Sequence, residues 1–265
     1  MKGIKKIYLA LMLFFLYSPI VVLIVYSFNE SKSRANWGGF TLKWYFELFN
    51  DQTIMRALFT TLSVAVLSAA VATIIGTAAS VGIKSMRRSV GKNALLSLTN
   101  IPVVAPEIVI GVSLMILFMY CFNAIGVGMG YHTLLLSHII FNVPFVILSV
   151  LPKLRQMDEN LIEAAHDLGA SAATAFFKVV LPAIKPGVIT GAMLAFTLSI
   201  DDFVVSFFTT GASTTNLSIL VFSMARRGIN PKVNALSTIM FSVVMILLYF
   251  INRRDSKNIK KGLDT

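Results

Sequence analysis

Three carboxylates sit where the surrounding sequence is apolar: Glu107 in IPVVAPEIVIG, and the adjacent Asp201 and Asp202 in SIDDFVVSFF. A carboxylate at membrane depth costs about 2.5–3.5 kcal/mol on insertion scales, so such a group faces a bundle interior or a wet cavity. No Lys or Arg lies well inside the apolar runs to neutralise them. Either the acids are neutral, or they pair with polar groups of a second subunit, or a cation from outside supplies the missing charge. Successive residues on a helix diverge by about 100°, so Asp201 and Asp202 are expected on different sides, one toward a cation and the other toward a partner helix. Bond-making chemistry is not indicated. There is no GxxxxGK[ST] loop to cradle nucleotide phosphates and no HExxH pair, and three scattered histidines make no metal site. An intramembrane aspartyl protease needs aspartates from different spans, which adjacent residues on one helix do not supply.

The elements that must position these acids are apolar throughout. Of 265 residues, 56% are hydrophobic and 13% charged, with mean hydropathy +0.79, which is the composition of a membrane protein. Six apolar runs, near 7–27, 58–83, 101–122, 132–152, 187–209 and 234–252, are each long enough to cross a hydrocarbon layer of ~30 Å. The first follows Lys2, Lys5 and Lys6 but is longer than a signal-peptide core and lacks a clear A-x-A site, so it reads as an uncleaved span. With the N-terminus inside, the inner segments hold 16 Lys and Arg against 7 outside, which puts both termini in the cytoplasm. The net charge of +11 therefore belongs to membrane topology, not to nucleic acid. Cys121 is the only cysteine, so no disulfide forms within the chain. The organisation reads as a first span with an outer segment (1–57), a five-helix core (58–252) with an inner loop at 153–186, and a basic tail (253–265) suited to an anionic leaflet.

Individual runs carry further expectations. Small residues recur every four positions in the second, at Ala72, Gly76 and Ser80 and at Ala65, Ala69, Thr73 and Thr77; that spacing lets helix backbones approach, so this span is expected among other helices. Pro102 and Pro106 loosen the start of the third. His138 and Asn142 lie four apart in the fourth, where an intramembrane His most simply hydrogen-bonds a neighbouring helix. The aromatics of NWGGFTLKWYFELF (Asn36 to Phe49) suit an interfacial helix, and residues 217–222 suit a short outer one.

The inner loop contains EAAHDLGASAATAFFKVVLP, Glu163 to Pro182. Asp158 is a good N-cap type, and Leu161, Ala164, Ala165 and Leu168 then fall on one helical face, with Glu163 and Asp167 opposite. Gly169 supplies a stop, Ser171 caps a second short helix, and Pro182 ends it. Amphipathicity alone reads as a surface helix packed on its own protein; nothing in the periodicity says that the apolar face meets a partner.

The segment nonetheless resembles the EAA loop of ABC-importer permeases, matching at Glu163, Ala164, Ala165, Gly169, Leu181 and Pro182. The Asn36–Phe49 stretch, the GINPKVNAL segment from Gly228 to Leu236 and the Asp201–Asp202 pair resemble the spermidine/putrescine subgroup; Glu107 stands where that pattern has Asp. The resemblance implies an all-α membrane protein with six transmembrane helices, the type I ABC importer permease architecture, in a bacterial inner membrane. It implies that the loop is a cytoplasmic coupling helix docking on an ATP-binding subunit, that Asp201, Asp202 and Glu107 attract a polyamine, and that ATP–Mg sits on the partner, this chain holding no cofactor and being no enzyme. A second permease subunit, an ATPase dimer, membrane lipid and an extracytoplasmic polyamine-binding protein would complete the system. The alternatives are an ion-coupled secondary transporter using Asp201 and Asp202, and an importer of the same kind for another small solute.

Overall fold

A computed structural model describes residues 2–32, 36–87, 89–124, 126–158, 160–227, 231–242 and 245. Apart from one bridge between Asn29 and Phe40, the regular elements among them are helical. Four helices are long and apolar enough to cross a membrane, and a bent pair brings the number to five if it counts as one span. The chain divides into two compact units, residues 1–55 with 221–265 and residues 56–220.

The first unit begins with α1 (Lys2–Tyr26), whose side chains are largely exposed. After it Asn29 and Phe40 pair in an isolated antiparallel bridge, so the interfacial helix expected over Asn36–Phe49 does not span that whole stretch. Asn29 organises the segment: its Oδ1 accepts from Gly38 N at 2.8 Å and Ser31 N at 3.2 Å, and its carbonyl accepts from the indole of buried Trp44 at 2.7 Å. Only Lys43–Asn50 of the aromatic stretch is helical, as α2. Trp37, Phe40, Phe46 and Phe49 remain exposed, as interfacial anchors require. Lys232, one of the outer cations that run against the charge bias, lies 3.3 Å from Glu47 and 3.6 Å from Asp51, so its charge is balanced locally. Residues 231–242 are helical. The remainder of the sixth apolar run, the start of the GINPKVNAL segment and the basic tail lie outside the described residues.

The second unit is built around α6 (Tyr131–Gln156), which packs between α3 (Gln52–Ser85) and α9 (Leu181–Asp201). Glycines make the approach possible. A Cβ on Gly76 of α3 would lie 2.7 Å from Val146, one on Gly191 of α9 would lie 3.2 Å from Val146 Cα, and one on Gly187 would lie 2.8 Å from the Ser149 carbonyl. Ala69, Ala72, Val146, Val150, Ile184 and Ala195 form the buried core there. The small-residue stripe of the second apolar run thus faces its neighbours as expected, while Ile74 on the opposite side is exposed. The matching stripe on α9, Gly187, Gly191, Ala195 and Ser199, went unread in the sequence although it obeys the same spacing rule.

Two apolar runs are interrupted where continuous spans were expected. The third is split between α4 (Val90–Val104) and α5 (Glu107–Asn123), which meet at a bend of 112°. Ala105 is extended, φ −73° and ψ 140°, because the ring of Pro106 disfavours helical geometry in the preceding residue; Pro102 is accommodated inside α4. The fifth run ends at Asp201 and resumes as α10 (Val204–Thr209), with Asp202 extended between them. At its other end, Pro182 does not stop the helix. A π turn over Phe176–Val180 joins α8 (Ala172–Ala175) to α9, so Ala172–Asp201 is one continuous candidate span. Leu181 N reaches back to the Phe176 carbonyl, and the widened turn makes room for a proline ring that an α-helical turn would clash with.

Candidate functional site

At the break after α9, a nonhelical backbone segment sits at the end of an apolar helix. Such backbone is tolerated at membrane depth only where protein or a wet cavity satisfies it. Asp202 provides much of that satisfaction. Its carboxylate accepts from Val205 N at 3.2 Å and Ser206 N at 2.7 Å, two of the first-turn donors that α10 cannot pair internally. Its Oδ2 also lies 3.6 Å from Nε2 of buried His138 on α6.

Around it a polar seam runs down the interface. His138 Nε2 is 3.0 Å from Ser206 Oγ, which also accepts from Asn216 Nδ2 at 2.8 Å. Thr133 donates to the Thr209 carbonyl at 2.6 Å, and Ser137 meets the Thr209 hydroxyl at 2.9 Å. Farther along α6, Asn142 donates to Ser199 at 2.7 Å, and Ser199 lies 2.9 Å from Ser68 of α3. His138 and Asn142 therefore bond across helices, as their spacing suggested. Their partners Ser68, Ser199 and Ser206, and Asn216 which bonds Ser206, were not singled out from sequence, because a lone hydroxyl or amide in a membrane run carries no motif.

Asp201 is different. It is exposed at the last turn of α9, the negative end of the helix macrodipole, which favours a cation. Glu107 opens α5 and is also exposed. α5 touches α10: a Cβ on Gly111 would lie 2.9 Å from Phe208 and 3.4 Å from the Val204 carbonyl. They also run the same way, since Phe122 near the end of α5 packs on His132 at 5.1 Å while Thr209 at the end of α10 meets Thr133. The three acids thus split into two that are exposed, Asp201 at the end of α9 and Glu107 at the start of α5, and one, Asp202, that holds the α9–α10 break together.

The Glu163–Pro182 segment forms α7 (Asn160–Asp167), a turn, and α8. Asp158 Oδ1 caps the start by accepting from Asn160 N at 3.0 Å. Gly169, at φ +79°, closes α7 in a Schellman arrangement: Gly169 N donates to the His166 carbonyl at 2.8 Å and Ala170 N to the Ala165 carbonyl at 3.0 Å. Ser171 Oγ accepts from Thr174 N at 3.3 Å and caps α8. Ile162, Phe176 and Leu181 pack on the core shared by α6 and α9. Leu161, Ala164 and Leu168 are exposed, Leu168 to 89%, and Ala165 is half-buried. The apolar face seen in the sequence is therefore not the one spent on this chain. Glu163 and Pro182 are exposed. From Pro182 to Asp201 the helix is roughly 30 Å long at 1.5 Å per residue.

Residues 72–256 match the family of binding-protein-dependent transport system inner membrane components. The chain is 38% identical over 252 residues to the putrescine transport system permease protein PotI of Escherichia coli K12, covering 93% of this chain and 90% of that one. It is 42% identical over 243 residues to the spermidine/putrescine transport system permease protein PotC of the same strain, covering 91% and 90%. The Haemophilus influenzae protein described as PotC is 37% identical, with 92% and 93% covered. Among solved structures, a bacterial ABC transporter that imports alginate superposes with a TM-score of 0.73 at 14% identity, covering 96% of this chain and 95% of that one. The MetNI methionine ABC transporter gives 0.61 at 20% identity, covering 81% and 96%.

Proposed function

Because the chain belongs to the binding-protein-dependent transport system inner membrane components, we propose that it lines, with a second permease subunit, the membrane pathway of an ATP-driven importer for spermidine or putrescine. It is a permease component, and hydrolysis resides on a separate subunit. The observation that carries the reading is the single continuous helix from Ala172 to Asp201. One end adjoins a loop with an outward apolar face, and the other ends at a break beside exposed Asp201.

In this reading Leu161, Ala164 and Leu168 dock on an ATPase subunit, with Glu163, Ala165, Gly169, Leu181 and Pro182 shaping the loop that presents them. ATP binding draws the two loops of a permease pair together, α9 transmits the movement, and the pathway opens outward; hydrolysis resets it. Asp201 and Glu107 attract the polyamine delivered by an extracytoplasmic binding protein, while Asp202 keeps the break in shape. Relatives named for putrescine and spermidine support this cargo, as does the pairing of a carboxylate with a helix C-terminus, which favours a cation. The six spans of a type I permease, with both termini and the loop cytoplasmic, complete the arrangement.

Reconstitution of the complete transporter in proteoliposomes tests it. Radiolabelled spermidine uptake should require ATP and the ATPase subunit and should persist when ion gradients are dissipated. Uptake that continues without the ATPase subunit and stops with the gradient would overturn the reading in favour of an ion-coupled carrier.

A further inference from the structure

A wedge opens where the end of α3, the start of α4 and the last turns of α6 converge. Its polar part is a cavity of about 630 Å³ lined by Lys84, Ser89, Lys92, Asn93 and Arg155, with no acidic side chain among its described lining residues. Lys92 is fixed there, donating to the Met86 carbonyl at 2.8 Å and the Lys84 carbonyl at 3.4 Å. Directly alongside is an apolar groove of about 530 Å³ lined by Gly82, Ile83, Leu95, Leu98, Pro144 and Ile147. The two are parts of one feature: Ile83 adjoins Lys84, Leu95 adjoins Leu96 of the polar cavity wall, and Ile147 is one turn from Leu151 of the same wall. Gly82 leaves the groove open, since a Cβ there would meet nothing within 4 Å.

We propose that this wedge binds one anionic diacyl phospholipid, its phosphate in the basic cavity and an acyl chain in the groove. The chemistry selects that occupant. A free phosphate would meet Lys92 and Arg155 and leave the groove unused. A zwitterionic lipid would fill the groove and bring its own cation against Lys92 and Arg155. An anionic lipid matches both parts, and basic pockets between helices on the cytoplasmic side are where such headgroups are held. The wedge also lies on the side that the charge bias assigns to the cytoplasm. The inference needs the chain to be membrane-embedded but is independent of what it transports.

The test uses the intact transporter, exchanged into nanodiscs of equal phosphatidylglycerol and phosphatidylcholine, extracted into detergent and weighed by native mass spectrometry with its retained lipids. Phosphatidylglycerol should be retained in preference to phosphatidylcholine. Arg155→Gln should lower that retention roughly five-fold, the weight of one basic side chain at an anionic surface. Gly82→Phe, which fills the groove and leaves the cations in place, should lower it independently, and inorganic phosphate should not displace the lipid. Equal retention of the two lipids by the unaltered transporter overturns the proposal, as does undiminished retention in both variants. Displacement by inorganic phosphate together with indifference to Gly82→Phe would mark a free-anion cavity instead. Loss of the ATPase subunit from Arg155→Gln with lipid retention unchanged would mark a protein contact.

Discussion

Asp201 and Asp202 are consecutive in the chain and opposite in surroundings: Asp201 is exposed at the end of α9, whereas the Asp202 carboxylate accepts from the backbone N–H groups of Val205 and Ser206. The backbone break between α9 and α10 produces the division. An uninterrupted helix would separate the two side chains by about 100°; the break turns one of them into a cap for the helix that follows.

Replacing Asp202 should therefore act on stability. Asp202→Ala leaves the two first-turn amides of Val205 and Ser206 without their acceptor in a buried site, a loss of about 1–3 kcal/mol. A lower thermal midpoint and a reduced yield of assembled complex in detergent are expected. The half-saturating polyamine concentration of the complex that does assemble should stay unchanged.

The glycines between α6 and α9 define a second expectation. A Cβ on Gly187 would meet the Ser149 backbone carbonyl at 2.8 Å, and backbone cannot step aside as a flexible side chain can. Gly187→Ala should destabilise the bundle by about 1–3 kcal/mol through overpacking. Gly82→Ala, where the added methyl meets open space and the helix loses a flexible glycine, serves as the control and should leave the thermal midpoint unchanged or slightly raised.

Docking of the loop is separable from its folding. Leu161 and Leu168 are exposed and contribute little to the core of this chain. Leu161→Ser with Leu168→Ser should preserve the thermal midpoint of the permease and markedly reduce co-purification of the ATPase subunit. Gly169→Ala acts differently, forcing a side chain into left-handed backbone at φ +79° for roughly 1–2 kcal/mol; it should weaken docking by loosening the end of α7. Undisturbed association in both variants would remove the loop from the coupling interface.

Local signals carried much of this architecture. Asp158, Gly169 and Ser171 announce the ends of α7 and α8 because caps are decided by side chains within a few residues of the backbone they satisfy. The stripe on α3 was legible for the same reason that it packs, its small residues recurring on one face. The breaks were harder to see. Pro102 and Pro106 have similar sequence surroundings, yet one is absorbed into α4 and the other bends the chain. The run SIDDFVVSFF has no proline or glycine to announce an interruption. Its break depends on Asp202 turning back on the amides of α10 and on contacts with His138 and Asn216, tertiary relations that periodicity does not register. Periodicity likewise showed that Leu161 and Leu168 share a face without showing whether that face would be covered by this chain.

The most direct test of the central claim is the concentration dependence of ATP-driven spermidine uptake by the reconstituted transporter carrying Asp201→Asn. Removing the exposed carboxylate at the helix break should raise the half-saturating concentration several-fold while assembly, thermal midpoint and basal ATP hydrolysis stay as they were. An unchanged half-saturation and maximal rate in a fully assembled Asp201→Asn transporter would contradict the account, because the acid beside the break would then have no part in drawing the cation through.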